Sequence, residues 1–130
     1  LGDSRAYLLR QRALQRLTTD HSLAQLLVQV GDLTPDQAAA HPTRNQLTQY
    51  VGMPGEAEPG TRVLGLTPGD RLLLCTDGLT TMIKDKDIEA ILRDYPHPDA
   101  ACRELITTAK KEGGTDNITV IVLGLGLQGQ

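Results

Sequence analysis

A chain of 130 residues is enough for one domain, or for part of one. Its 39% of apolar residues include no Phe or Trp and only three Tyr, so the core is expected to be aliphatic and a base-stacking platform is disfavoured. A net charge of −3 without a basic stripe argues further against a nucleic-acid partner.

In chain order, residues 6–9 read as a strand, Gln11-Arg12 as a tight turn and residues 13–17 as the returning strand, although the turn lacks an Asn-Gly signal. Leu23, Leu26, Leu27 and Val30 recur at helical spacing, with Ser22 or Asp20 as the cap and Gly31 as the stop. Thr34-Pro35-Asp36-Gln37 starts a second short helix that ends before Pro42. Residues 43–60 are polar and punctuated by Gly and Pro, which predicts a loop. Residues 61–66 read as a strand, and Thr67-Pro68-Gly69-Asp70 as a type II turn. Residues 71–76 form the next strand, whose unbroken Leu72-Leu73-Leu74-Cys75 run predicts burial on both faces.

Ile88, Ile91, Leu92 and Tyr95 mark a helix capped by Asp85, and Cys102, Leu105, Ile106 and Ala109 mark another that starts near Pro98 and stops at Gly113-Gly114. Residues 118–123 are the closing strand, also expected to be apolar on both faces, and residues 124–130 carry little pattern. Hairpins with covering helices define an α+β layered architecture rather than a doubly wound parallel sheet. Cys75 and Cys102 lack metal-ligand spacing, and two buried thiols in a reduced cytoplasmic protein is the plain reading. No apolar run approaches the roughly 18 residues that span a bilayer, so no membrane partner is expected.

Three acidic motifs stand at expected strand ends: Gly2-Asp3-Ser4-Arg5, Thr76-Asp77-Gly78 and Thr115-Asp116-Asn117. The first lies at the very start, so the chain looks like a piece of something longer. An Asp beside Gly or Asn is commonly a turn residue bonding its own backbone. Three carboxylates that converge repel one another unless a cation neutralises them, and an all-oxygen site suits Mg²⁺ or Mn²⁺. Gly78 is expected to let the backbone turn and let another group approach Asp77 closely.

These residues carry a resemblance over nearly the whole chain. Gly2-Asp3-Ser4-Arg5-Ala6-Tyr7, Leu17-Thr18-Thr19-Asp20-His21-Ser22, the stretch from Gly31 to Gly52, Gly69 through Leu79, and Gly113-Gly114-Thr115-Asp116-Asn117-Ile118-Thr119-Val120 occur in the order and spacing of one family. The chain resembles the C-terminal half of the metal-dependent, type 2C serine/threonine protein phosphatases in their bacterial form. Thr76 stands where Ser is commoner.

The resemblance implies part of a layered α-β-β-α sandwich of antiparallel sheets flanked by helices, with residues 1–130 as the C-terminal portion of a catalytic domain and residues 31–52 as a flap. It implies that Asp77 and Asp116 bind a two-metal centre of Mn²⁺ or Mg²⁺, that Asp3 helps hold a further, weaker ion, and that Asn117 steadies Asp116. In the family, water activated by two ions attacks phosphorus in line without a phosphoenzyme. The implied partners are proteins bearing phosphoserine or phosphothreonine, and an opposing protein kinase. The family's early Glu-Asp element, its Asp-Gly-x-Gly-Gly element and its phosphate-binding Arg do not occur in this chain, so the isolated chain is expected to be inactive and to self-associate. The competing reading is a non-catalytic regulatory or binding module.

The other candidates weigh less. His97 reads as a solvated helix cap, His21 as a residue bonding locally near a helix start, and His41 as structural within the flap. Lys84, Lys86, Lys110 and Lys111 read as solvated helix faces. Arg44 is the basic residue raised above background, because the flap implied by the resemblance is where a phosphopeptide would dock.

Overall fold

The computed structural model describes residues 1–126. They form two compact units: Leu1–Ser4 with Thr19–Thr61, and Arg5–Thr18 with the chain from Arg62 onward. The end of the tail, residues 127–130, lies outside the described residues.

The second unit is built on one four-stranded antiparallel sheet. Strands β1 (Arg5–Arg10) and β2 (Ala13–Arg16) form the expected hairpin, with Leu9 opposite Leu14. Gln11 and Arg12 close it at φ 49° and 69°, the left-handed pair that a two-residue type I′ connection requires. β3 (Arg71–Cys75) pairs with β1 on one side and with β4 (Val120–Gly124) on the other, in the order β2-β1-β3-β4. The Thr67–Asp70 turn forms as expected, with Gly69 at φ 91° and the Asp70 N–H donating to the Thr67 carbonyl at 3.0 Å.

Three helices follow β3: α3 (Asp77–Thr80), α4 (Asp85–Asp94) and α5 (Pro98–Lys111). The core lies between them and one face of the sheet. Tyr7, Leu9, Leu73 and Cys75 project from the strands to meet Leu79, Ile83, Ile88, Leu92, Ala101, Leu105 and Ala109. Ile88, Leu92 and Leu105 are fully buried, each worth about 1.5–3 kcal/mol. The small side chains of Ala101 and Ala109 let α5 lie close over β4. Both cysteines are thiols, Cys75 buried and Cys102 half-buried.

Several expectations fail here for physical reasons. The leucine run of β3 is not buried on both faces: Leu73 and Cys75 face the helices, whereas Leu74 is 41% exposed. β4 begins two residues later than expected, and its Ile121 and Leu123 are 51% and 49% exposed. The helices pack on the face that carries Tyr7, Leu9 and Leu73; on the other face Leu8 is buried but Leu74, Ile121 and Leu123 are not, and no second sheet is present among the described residues. Residues 61–66 form no strand, and no strand among the described residues pairs with them; Val63 is wholly exposed. Lys84, not Asp85, caps α4, and the Asp85 carboxylate instead accepts from the Tyr7 hydroxyl at 2.8 Å and Arg16 Nη2 at 3.1 Å. Tyr95 falls at the C-cap of α4, exposed.

The first unit contains α1 (Leu23–Gln29), α2 (Pro35–Ala40) and a 3-10 helix, Pro42–Asn45, that the loop reading missed. Ser22 caps α1 through the Gln25 N–H, and Thr34 and Gln37 form a reciprocal capping box on α2. The apolar stripe of α1 is only partly covered: Leu26 and Val30 are exposed, and Ala24 is the residue it buries. Residues 31–52 lie wholly within this unit. No helix among the described residues is long and apolar enough to cross a membrane.

Candidate metal centre

β3 ends at Cys75, whose partner across the sheet is Val120, the first residue of β4. The two acidic motifs therefore meet where one strand stops and the other starts. Thr76 latches them together. Its N–H donates to the Thr119 carbonyl at 3.1 Å, its hydroxyl donates to the Asn117 carbonyl at 3.4 Å, and that hydroxyl accepts the Thr119 N–H at 3.1 Å. With its oxygen engaged on the β4 side, Thr76 caps α3 through its extended backbone alone.

Asp77 stands just past the end of β3, as expected, and is also the first residue of α3, half-buried. Its carbonyl accepts from the Thr81 N–H at 2.9 Å and from the Thr81 hydroxyl. Gly78 is buried against Asn117: a Cβ added there would stand 2.0 Å from the Asn117 carbonyl oxygen. The glycine is required for close approach and not for a left-handed backbone, since its φ is not positive. Asp116 is exposed, and its Oδ1 accepts the Asn117 N–H at 2.7 Å. Asn117 is thus joined to the Asp116 carboxylate through its backbone N–H.

The fold brings Asp77 and Asp116 to one end of one sheet. Asp3 lies in the first unit and is half-buried. Among the described residues no group of three or more His, Cys, Asp or Glu side chains is placed to hold a metal ion. Two carboxylates, with no imidazole or thiolate set among them, fit part of the oxygen shell of Mg²⁺ or Mn²⁺ and leave the rest to other donors.

The opposite end of β3 carries a different carboxylate. Asp70 is buried and receives Arg10 Nε at 3.0 Å and Nη2 at 2.6 Å, with the Thr67 N–H at 2.8 Å and its hydroxyl at 3.2 Å. The Arg10 guanidinium, helped by that N–H, holds the Asp70 carboxyl well below the usual range. Nearby in the sheet, burial pushes the Tyr7 hydroxyl up to about 12, while Arg5 donates to it at 3.1 Å. Sequence reading missed both networks, because Asp70 reads simply as a turn residue and the Tyr7–Asp85 pair is 78 residues apart.

In the first unit His41 caps the 3-10 helix, its Nδ1 accepting the Thr43 N–H at 3.2 Å. Arg44 is exposed and donates to the His41 carbonyl at 3.4 Å. His21 departs from expectation: its Nδ1 is buried with no partner among the described residues. His97 caps α5 as expected, accepting the Asp99 N–H at 3.3 Å, and all four lysines are exposed.

A family model described as Stage II sporulation protein E (SpoIIE) matches residues 9–125. The chain belongs to that family of type 2C phosphatase-like domains. It is 40% identical over 123 residues to a serine/threonine phosphatase, Stp, of Listeria monocytogenes, covering 95% of this chain and 49% of that one. It superimposes on the S. agalactiae serine/threonine phosphatase with a TM-score of 0.88 at 42% identity, covering 95% of this chain and 51% of the other. A third likeness, at TM-score 0.74 and 34% identity over 94% of this chain and 50% of the other, is to the catalytic domain of the phosphatase PstP in complex with two manganese ions. The chain spans about half the length of the curated relatives it matches.

Proposed function

We propose that the chain supplies part of the active domain of a metal-dependent protein serine/threonine phosphatase. The observation that supports this reading is the Thr76 latch, which ties the end of β3, just before Asp77, to the Asn117 and Thr119 backbone just after Asp116. Asp77 and Asp116 would hold Mn²⁺ or Mg²⁺, Asp3 would help hold a weaker further ion, and Gly78 and Asn117 keep the two motifs in register. Such ions lower the pKa of water and neutralise phosphate oxygens. The residues of this chain do the positioning, from a paired sheet end and a helix start. The manganese-bound relative supports the choice of ion.

Substrates would be cytoplasmic proteins carrying phosphoserine or phosphothreonine, set there by an opposing kinase. Residues 31–52, with exposed Arg44, would form the flap on which a phosphopeptide docks.

The test joins the chain to the remaining half of the S. agalactiae relative's domain and assays a phosphopeptide and a small aryl phosphate. Hydrolysis is expected with Mn²⁺ or Mg²⁺ and lost with a chelator, and Arg44→Ala should change peptide discrimination more than aryl phosphate turnover. Full activity in chelator contradicts metal dependence. A folded chimera inert with every metal favours a binding module.

A further inference from the structure

The start of β3 holds a charged group that the carboxylate end does not use. Arg71 is 9% exposed, and its Nη1 donates to the Leu92 carbonyl near the end of α4. Its Nε and Nη2 are buried with no hydrogen-bond partner among the described residues. An unmet buried donor costs roughly 1–3 kcal/mol, and more in a charged group. Desolvation lowers the Arg71 pKa and the nearby Cys102 thiol opposes this in part, yet a guanidinium stays charged at neutral pH.

Arg71 lines a cavity of about 260 Å³, together with Arg12 and Arg93. At about 30 Å³ per liquid water, that space holds a small oxyanion with part of its hydration shell. Arg12 stands on the β1–β2 turn, and among the described residues the one ion pair of Arg93 is a 3.7 Å contact with Glu89. The one carboxylate in the wall, Asp70, is committed to Arg10 and Thr67. Pro98, the first residue of α5, also lines the cavity and sets the positive end of a 14-residue helix beside it. The negative end of α4 is nearby too, and the Arg71 bond to Leu92 answers it.

We propose that this cavity is an anion site in which Arg71, Arg12 and Arg93 take up a phosphate-type oxyanion. The Nε–Nη2 edge of Arg71 is the edge suited to two parallel bonds with such an anion. Both nitrogens are shielded in the structure, so binding includes a small rotation of the guanidinium toward the cavity. The site lies across a five-residue strand, roughly 16 Å, from the Asp77 end, and is independent of the phosphatase reading. Inorganic phosphate and the phosphate group of a small organic phosphate share the required chemistry.

The test is NMR of the 130-residue chain in chelator, titrated with inorganic phosphate, glycerol phosphate and acetate at fixed ionic strength. Phosphate should shift the Arg71 Nε–H resonance and the Gly69 and Gly124 amides saturably, and acetate should act more weakly. Tighter binding of glycerol phosphate marks an organic source; equal or weaker binding marks free phosphate. Arg12→Gln and Arg93→Gln, both at exposed positions, should each weaken binding about two- to fivefold, and Arg71→Lys about tenfold or more. If Arg71→Lys does not fold, the two rim variants carry the test. No shift at Arg71, shifts unchanged in both rim variants, or shifts centred on Gly78 and Asn117 would overturn the proposal.

Discussion

β3 has a carboxylate just beyond each of its ends, and the two are held in opposite ways. Asp70, before the strand, is buried and receives four donors from Arg10 and Thr67. Asp77, after it, is half-buried, and its carboxylate accepts no hydrogen bond among the described residues, although its backbone is fixed by α3 and by the Thr76 latch. Asp116 is more open still. A carboxylate satisfied by the protein stabilises the fold, whereas one whose backbone is rigid and whose oxygens are open is available to a ligand. Residue type is the same at both ends, and the supply of donors separates them.

This contrast can be broken first at Gly78. A methyl group there overlaps the Asn117 carbonyl, so Gly78→Ala should force β4's entry away from α3. The expected cost is about 1–3 kcal/mol, read as a lower urea midpoint. An unchanged midpoint would mean the two motifs are not pressed together.

A smaller effect is expected at the other end. Because Arg10 is 40% exposed, the bridge to Asp70 is partly screened. The Asp70 pKa is depressed in the folded state, so its contribution is present above the unfolded carboxylate value of about 4 and is lost as pH falls below it. Asp70→Asn should therefore lower the urea midpoint at neutral pH, with the gap to the unsubstituted chain closing on acidification. A gap that stays constant with pH would point to packing rather than charge.

The sequence made the local signals legible. The capping box at Thr34, the Pro-Gly turn before Asp70 and the helical spacing of Ile88 and Leu92 each encode structure within a few residues, and each formed. What it hid was coverage. Leu72, Leu74, Ile121 and Leu123 read as doubly buried because apolar runs usually are, but burial depends on what lies opposite, which a strand does not encode. The same limit applies to the exposed Leu26 and Val30 of α1. At the candidate site, Asp77, Asp116, Asn117 and Gly78 were singled out from their motifs, with their roles supplied by the family resemblance. The reason for Gly78, close approach to Asn117, needed the fold. Arg71 escaped notice because a lone Arg beginning an apolar strand looks like an ordinary edge residue until its burial is seen.

The most direct test of the proposal that the Asp77 end of β3 holds a metal ion is a Mn²⁺ titration of the chain followed by NMR. Paramagnetic broadening should appear first at the amides of Asp77, Gly78, Asp116 and Asn117, leave Gly69 and Asp70 sharp, and fade in Asp77→Asn and Asp116→Asn. Broadening centred on Asp70, or the same broadening in both variants, would contradict the assignment of the metal centre to this end of the sheet.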